Sequence, residues 1–284
     1  MSSSRATDPV NTESAELESR CQLLRSLHVA GDPIVLANAW DVASAKAIDT
    51  AGFAAVATTS AGVAAALGYE DHEGAPRDEM LAAAARIGRS VSIPVTVDAE
   101  AGYGMEPAEL VAALRGMGAA GCNLEDTNHA TGNLRDPVQH ANWLRRVREA
   151  ARDQDYALVI NARIDVFLSA VVSGSHEAKQ GKLVPEALAR AHAYLEAGAD
   201  CVFPILLREA DTLRTFTSEA PGPVNILAIP PAPSPAELAE LGVARISYGS
   251  LLHRDLMEQF SGLLGSLAND LTSRRSISEH KERK

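Results

Sequence analysis

Three cysteines in 284 residues exclude several classes of protein at once. Cys21, Cys122 and Cys201 are odd in number and far apart, which suits neither a disulfide framework nor a zinc cluster and fits a reducing compartment. Aromatic residues supply only 4% of the chain, so the core must be built from Ala, Val, Leu and Ile, with helices packed closely through small side chains. Lys and Arg number 26 against 37 Asp and Glu, and the resulting charge of −11 argues against a nucleic-acid or anionic-membrane partner. No apolar run reaches membrane-spanning length, and the polar stretch Met1 to Ser14 lacks the apolar segment of a signal peptide. These absences place the chain by default in the cytoplasm. They also mean that an anionic substrate needs a local source of positive charge, an Arg or a metal ion.

What is present is a repeating unit. The 46% apolar content with 22% charge is enough to bury a large core. From Ile34 onward a short β-rich run, a loop and an Ala/Leu-rich amphipathic stretch recur. The β-rich runs are IVLANAW, AAVATTS, PVTVDAE, GCNLED, ALVINAR, CVFPIL, VNILAI and RISYGS, starting at Ile34, Ala54, Pro94, Gly121, Ala157, Cys201, Val224 and Arg245. Near-continuous apolar strands alternating with helices mean a parallel sheet covered by helices, and eight units favour closure into a (β/α)8 TIM-type barrel. The expected organisation is a flexible leader at 1–14, one barrel domain at 15–270 and a disordered polar tail at 271–284. An N-terminal helix precedes the barrel, and LLHRDLMEQFSGLLGSLANDL forms an extended last helix.

In such a barrel the active site gathers at the C-terminal strand ends. Thr59 and Ser60 follow the second run, Asp98 and Glu100 end the third, Glu125 and Asp126 the fourth, and Asn161, Arg163 and Asp165 the fifth. Two-residue spacing sends Asp98 and Glu100 to one face of a strand. Together with Glu125 they repel one another unless a cation intervenes. Oxygen ligands without matching His or Cys point to Mg²⁺ or Mn²⁺ rather than zinc. On spacing alone, solvated loop carboxylates or partners for Arg163 explain the same residues.

The stretch TVDAEAGYG resembles the D-A-D-x-G-Y-G signature of the isocitrate lyase and phosphoenolpyruvate mutase superfamily. NLED resembles its next-strand Glu motif, NARIDVFL its Asn-Ala-Arg motif, and TTSAGVAAALGYEDHEG its second-strand loop. The resemblance covers about Ile34 to Gly249 and is nearest the phosphonomutase-like subgroup. It implies a (β/α)8 barrel binding Mg²⁺ and a pyruvate-like or oxalate-like core. Asp98 would ligate the metal directly, with Glu100 and Glu125 acting mainly through water. Thr59, Ser60 and Ala61 would cradle a substrate carboxylate, and Arg163 would grip a carboxylate or enolate oxygen. Asp71 would lie at the mouth as a base, nucleophile or water-orienting group. Asn161 and Asp165 would orient Arg163 or a loop. The resemblance further implies a homo-oligomer, a dimer or tetramer, in which the last helix packs on, or swaps with, a neighbouring barrel.

The departures from the pattern narrow the chemistry. The lyases of the superfamily carry a K-K-C-G-H segment after the fourth strand, and the mutases carry a Lys there. Here that loop reads EDTNHATGNLRDP, and no Lys occurs between Lys46 and Lys179. Cys122 lies inside the strand, where it reads as a small core residue. The expectation is therefore a Mg²⁺-dependent carbon–carbon lyase or decarboxylase of a small 2-oxo or 2-hydroxy dicarboxylate. Phosphonomutase or phosphonopyruvate hydrolase activity is the first alternative, and a non-catalytic barrel binding a 2-oxo acid the second. The loop from Thr127 to Asp136 is expected to close over the substrate, hinged at Gly132, and His72 and His129 read as exposed loop residues.

Overall fold

The computed structural model describes residues 9–174 and 180–282, so residues 1–8 of the expected leader and 283–284 of the expected tail lie outside the described residues. In chain order the elements are α1 (Pro9–Ser26), β1 (Ile34–Ala39), α2 (Val42–Thr50), β2 (Val56–Thr58), α3 (Ser60–Leu67), α4 (Arg77–Gly88), β3 (Val95–Asp98) and α5 (Pro107–Gly116). Then come β4 (Gly121–Glu125), a small antiparallel hairpin (Thr127–Asn128 with Asn133–Leu134), α6 (Pro137–Asp153), β5 (Val159–Ile164), α7 (Val166–Val172) and α8 (Val184–Glu196). The chain ends with β6 (Cys201–Pro204), α9 (Ala210–Glu219), β7 (Asn225–Leu227), α10 (Pro235–Glu240), β8 (Arg245–Ser247) and α11 (Leu251–Glu282). All eight expected strands are present. Helix α1 begins inside the segment set aside as leader, and α11 runs on into the segment set aside as tail.

The strands pair in parallel in the order β6-β5-β4-β3-β2-β1-β8-β7, and a bridge between Val202 and Val224 joins the two ends of that order. The chain thus closes as a (β/α)8 barrel. Helix starts follow local chemistry: Asp41 caps α2 by accepting from Ser44 N at 2.7 Å, and Asp136 Oδ1 accepts from Val138 N and Gln139 N ahead of α6. Ser234 and Glu237 form a reciprocal capping box on α10. The core is aliphatic, as the scarcity of aromatics requires, with Phe167, Phe216 and Tyr194 among the few large rings shut inside.

Helix α1 seals the N-terminal end of the barrel. Its Cys21 and Leu24 are fully buried, and Arg25 donates to Asp200 Oδ1 (2.9 Å) and to the carbonyls of Ala157 and Leu158 beside β5. Burial pushes the thiols of Cys21, Cys122 and Cys201 up to about 12, which keeps all three as protonated packing groups. At the other extreme, α11 leaves the barrel with an apolar row on its surface. Leu256, Phe260, Leu263, Leu264 and Leu267 recur at helical spacing and are all exposed. Among the described residues no helix is long and apolar enough to cross a membrane.

His140, on α6, is 1% exposed, stacks on Trp143 with centroids 5.6 Å apart and meets Tyr194 edge-on, and neither ring nitrogen has a partner. Burial, aided by the charges of Arg135 and Arg190, lowers its pKa to about 3. The unfolded chain, with an ordinary value of 6.5, therefore binds a proton that the folded chain refuses, so stability falls as pH drops from 6.5 toward 3. We expect His140→Phe, which keeps the ring packing and removes the titration, to raise the thermal midpoint at about pH 5 by more than at pH 8. Equal shifts at both pH values would show that His140 contributes nothing to acid lability.

Candidate active site

The second-strand exit leads directly into a helix. Thr59 takes the N-cap position of α3 with extended φ and ψ, and Ser60 and Ala61 are the first two helical residues. The N–H groups of these first helical residues have no partner within the helix. Ser60 N donates to Asp98 Oδ2 at 3.1 Å, while Asp98 N donates to Thr58 Oγ1 at 2.8 Å. Asp98 Oδ1 is shut away from solvent and has no hydrogen-bond partner. One carboxylate is thus held at a helix N-terminus with its second oxygen uncommitted.

Glu100 reaches the site by a route that strand alternation does not describe. Strand β3 stops at Asp98, and Glu100 adopts a left-handed φ of 47° beyond it, so the expected shared strand face does not exist. Its carbonyl accepts from Glu125 N (3.0 Å), and its Oε2 accepts from Glu73 N (2.5 Å). Glu73 in turn accepts from Tyr103 N at 2.7 Å through its own carboxylate. His72, Glu73, Glu100 and Tyr103 all have positive φ, between 47° and 64°. Non-glycine residues tolerate that region at a cost, and four around one site mark a loop held down by its contacts. Gly102, between them at φ 90°, could not carry a side chain, because a Cβ would lie 2.9 Å from the Trp143 ring. Burial first, and the charge of Asp98 next, push the Glu100 carboxyl up to about 8.

Glu125 and Arg163 face each other across β4 and β5, whose register pairs them directly. Arg163 Nη1 contacts Glu125 Oε2, while Nε and Nη2 fork onto Asp165 at 2.6 and 3.0 Å. Asp165 also accepts from Thr127 Oγ1 (2.5 Å), and its N–H donates to Asp126 Oδ1 (2.9 Å). Asp126 Oδ2 accepts from Arg190 (2.9 Å) and Tyr194 (2.7 Å) on α8. Asp165 therefore orients Arg163, as expected. Asn161 does not: its Nδ2 donates to Asn123 Oδ1 (2.8 Å), inside the barrel.

The fourth-strand loop is the short hairpin, with Gly132 at φ 71° supplying its turn. His129 is not an exposed loop residue. Its Nε2 lies 2.6 Å from Glu125 Oε1, its side chain is 8% exposed, and its ring lies 5.5 Å from that of His72. Burial opposes its protonation, yet the hydrogen bond and charge of Glu125 outweigh burial and raise its pKa. The spacing Glu125 to His129 is i, i+4, but only the hairpin's turn makes the two meet. Arg190 and Tyr194, on a distant helix, and Glu73, in an acidic loop, carried no sequence signal of their roles.

Among the described residues no three His, Cys, Asp or Glu side chains converge at metal-ligand spacing. Glu100 and Glu125 are turned to Glu73 N and to Arg163 and His129, which leaves Asp98 as the acid with a free, enclosed oxygen. That donor set fits an ion held by one direct carboxylate, and the mutual charge of Asp98, Asp71 and Glu125 on Glu100 is the field such an ion relieves. Asp71 has one buried oxygen, Oδ1, without a partner. A cavity of about 980 Å³ lies elsewhere, lined by Phe167, Gln180, Arg208, Arg214, Pro231 and Glu237. It contains none of the acids at the strand exits, so the candidate chemistry is assigned to the exits rather than to this cavity.

Comparison with known proteins gives a consistent result. The family model for phosphoenolpyruvate phosphomutase matches residues 24–267. The uncharacterized protein Rv1998c of Mycobacterium tuberculosis is 36% identical over 225 residues, 79% of this chain and 81% of that protein. The 2-methylisocitrate lyase of Salmonella typhimurium is 30% identical over 217 residues, 73% of this chain and 70% of the lyase. A structure from Burkholderia cenocepacia J2315, described as a candidate phosphonomutase, is 42% identical with a TM-score of 0.83, covering 88% of this chain and 99% of that one. A phosphonopyruvate hydrolase solved with oxalate and Mg²⁺ shares the fold at a TM-score of 0.76 and 23% identity, over 88% of this chain and 87% of that one.

The Arg163–Asp165 fork is buried on both sides, with side-chain exposures of 9% and 0%. Removing the charge of one member leaves the other desolvated, so Asp165→Asn should cost about 3 kcal/mol in urea denaturation. A loss below about 1 kcal/mol would mean that Glu125 alone suffices to hold Arg163.

Proposed function

Because the chain belongs to the phosphoenolpyruvate phosphomutase family, we propose that it is a Mg²⁺-dependent carbon–carbon lyase or decarboxylase acting on a small 2-oxo or 2-hydroxy acid. The observation that carries this reading is Asp98, with Oδ2 on Ser60 N–H and Oδ1 enclosed and uncommitted, set among Glu100, Glu125 and Arg163. Asp98 would hold the ion directly, with Glu100 and Glu125 through water. Bound there, Mg²⁺ supplies positive charge that polarises a 2-oxo group.

The protein's own groups do the rest. The Ala61 N–H at the start of α3 receives a carboxylate, helped by the Thr59 and Ser60 hydroxyls and the helix dipole, while the Ser60 N–H stays on Asp98. Of the five N–H bonds of Arg163, three are committed to Asp165 and Glu125, which leaves two for a substrate oxygen. For a 2-oxo acid, cleavage beyond the carbon next to the oxo group releases CO₂ or a carbonyl fragment and passes the electron pair into the enolate, whose carbon then takes a proton. For a 2-hydroxy acid, loss of the hydroxyl proton to a base breaks the bond to the next carbon, which leaves a 2-oxo acid and a carboxylate-stabilised carbanion that takes the proton. Water, with His129 beside Glu125, supplies it, since the loop has neither Lys nor Cys. Asp71, at the mouth with one enclosed oxygen, orients that water or acts as base. The loop holding Glu73 against Glu100 keeps bulk solvent out.

The alternative is phosphorus–carbon bond chemistry, favoured by the similarity to a candidate phosphonomutase. Against it stands Arg135, the loop's sole cation for the extra phosphonate charge. Its guanidinium lies over the Trp143 ring at 5.8 Å and reaches the Ala101 carbonyl at 3.4 Å. An oxaloacetate-like or alkylmalate-like acid should therefore turn over with Mg²⁺, and phosphonopyruvate little or not at all. Faster release of phosphate or phosphoenolpyruvate from phosphonopyruvate under the same conditions would reverse the choice.

Calorimetry with oxalate tests the residues directly. Wild type should bind oxalate with Mg²⁺ and lose it with EDTA, and Asp98→Ala should abolish the metal-dependent part. Arg163→Lys should weaken binding by about 1.5–3 kcal/mol, the worth of a charge-assisted bond. Unchanged affinity in either variant would remove that residue from the assignment.

We propose further that the exposed row on α11 is covered by a second copy of this chain. Phe260→Glu with Leu264→Glu should lower the sedimentation mass of the native species to that of a single chain. A wild-type protein that already sediments as one chain at micromolar concentration would end this reading.

A further inference from the structure

The barrel interior beneath the strand-exit acids holds a positive charge that the proposed chemistry does not use. Arg245 opens β8 and is fully buried. Its Nη2 donates to Asn123 Oδ1 at 3.1 Å, and its Nε and Nη1 have no partner. Among the described residues no carboxylate lies within ion-pair distance of it. Burial lowers its pKa, and the groups that act against burial are the thiols of Cys201 and Cys122 and, after them, the Asp98 carboxylate.

The surroundings are polar in a specific way. Asn225 pairs with Arg245 in strand register and is fully buried; its Oδ1 accepts from Ser247 Oγ at 3.4 Å and its Nδ2 has no partner. Thr96 Oγ1, 1% exposed on β3, has none either. Below them, the His28 Nδ1 contact with Leu24 O (2.8 Å) leaves Nε2 as an acceptor when the ring is neutral. Burial first, then the charge of Arg245, lower the His28 pKa to about 4, so this neighbour adds no second positive charge. Asn161 Oδ1 is a further acceptor without a partner.

A guanidinium stays charged at every accessible pH, and a buried charge without a counter-charge is far costlier than an unmet neutral donor. Water would satisfy the N–H groups but adds no counter-charge in contact, and Asp98 acts on the guanidinium only from beyond ion-pair distance. We propose that Arg245, Asn225 and Thr96 form an internal binding site for one small monovalent anion of chloride size. Arg245 Nε and Nη1, Asn225 Nδ2 and the Thr96 hydroxyl supply its donors, while water meets the acceptors Asn161 Oδ1 and His28 Nε2. One net positive charge sets the anion's valence. The burial of Arg245, Asn225 and Thr96, none more than 1% exposed, admits only a small ion. The site differs from the substrate site above it in both residues and ligand class.

Two measurements decide it. Crystals of the full chain soaked in bromide should give an anomalous peak within hydrogen-bonding distance of Arg245 Nε or Nη1. Protein dialysed into potassium gluconate should gain thermal stability on titration with potassium chloride at constant ionic strength, with saturation, and Arg245→Met should not respond. If that variant fails to fold, Asn225→Ala keeps the guanidinium and removes one donor, and its half-saturating chloride concentration should rise about tenfold. Water rather than bromide beside Arg245, a gluconate titration that matches chloride, or an unchanged half-saturation in Asn225→Ala would overturn the proposal.

Discussion

The constraint on which the site depends is the fork of Arg163 onto Asp165. Two buried charges at the end of β5 hold each other, and β4 and the hairpin after it are tied to them. Glu125 brings β4 to the same guanidinium, Thr127 pins the hairpin to Asp165, and the Asp165 N–H hands the network on to Asp126, Arg190 and Tyr194 on α8. In water these pairs would be worth little. Inside a barrel mouth, breaking one strands its partner without solvent, so the network behaves as a unit.

Around that fork the acids are kept apart rather than gathered. Asp98 rests on the N-terminus of α3, Glu100 on the amide of Glu73, and Glu125 on Arg163 and His129. Each of these three carboxylates therefore has its own positive or N–H partner, and Asp98, like Asp71, keeps a buried oxygen in reserve. The left-handed residues of the loop over Glu100 are the conformational cost of that arrangement. The chain combines preformed anion donors on one wall with carboxylates on the other, an arrangement suited to a cation and a small carboxylic acid together.

Beneath the mouth the barrel is polar where most barrels are packed with branched aliphatic side chains. Arg245, Asn123, Asn161, Asn225 and Thr96 replace that filling. A positive charge under Asp98 offsets part of the acidic field above it. The strand-exit acids and the interior arginine therefore belong to one electrostatic system even though no ion pair links them.

Residue order alone determined the strand count, the barrel and most of the mouth. Parallel strands buried on both faces announce themselves as apolar runs, and the polar residues that end them mark the rim of the barrel mouth. Asp98, Glu125 and Arg163 were legible because they sit on strands, where register follows from periodicity. Glu100 was legible as a residue but not as a geometry, since a single positive φ removes it from the strand's alternation. That Thr59, Ser60 and Ala61 open a helix was not legible, because a helix of 8 residues is too short to declare itself by period. His129 was read as exposed because its burial depends on a hairpin turn that brings it back onto Glu125. Arg190, Tyr194 and Arg245 act across separations of 64, 68 and 122 residues, from Asp126 and Asn123. Contacts of that kind exist only once the ring of strands has closed, and local chemistry holds no trace of them.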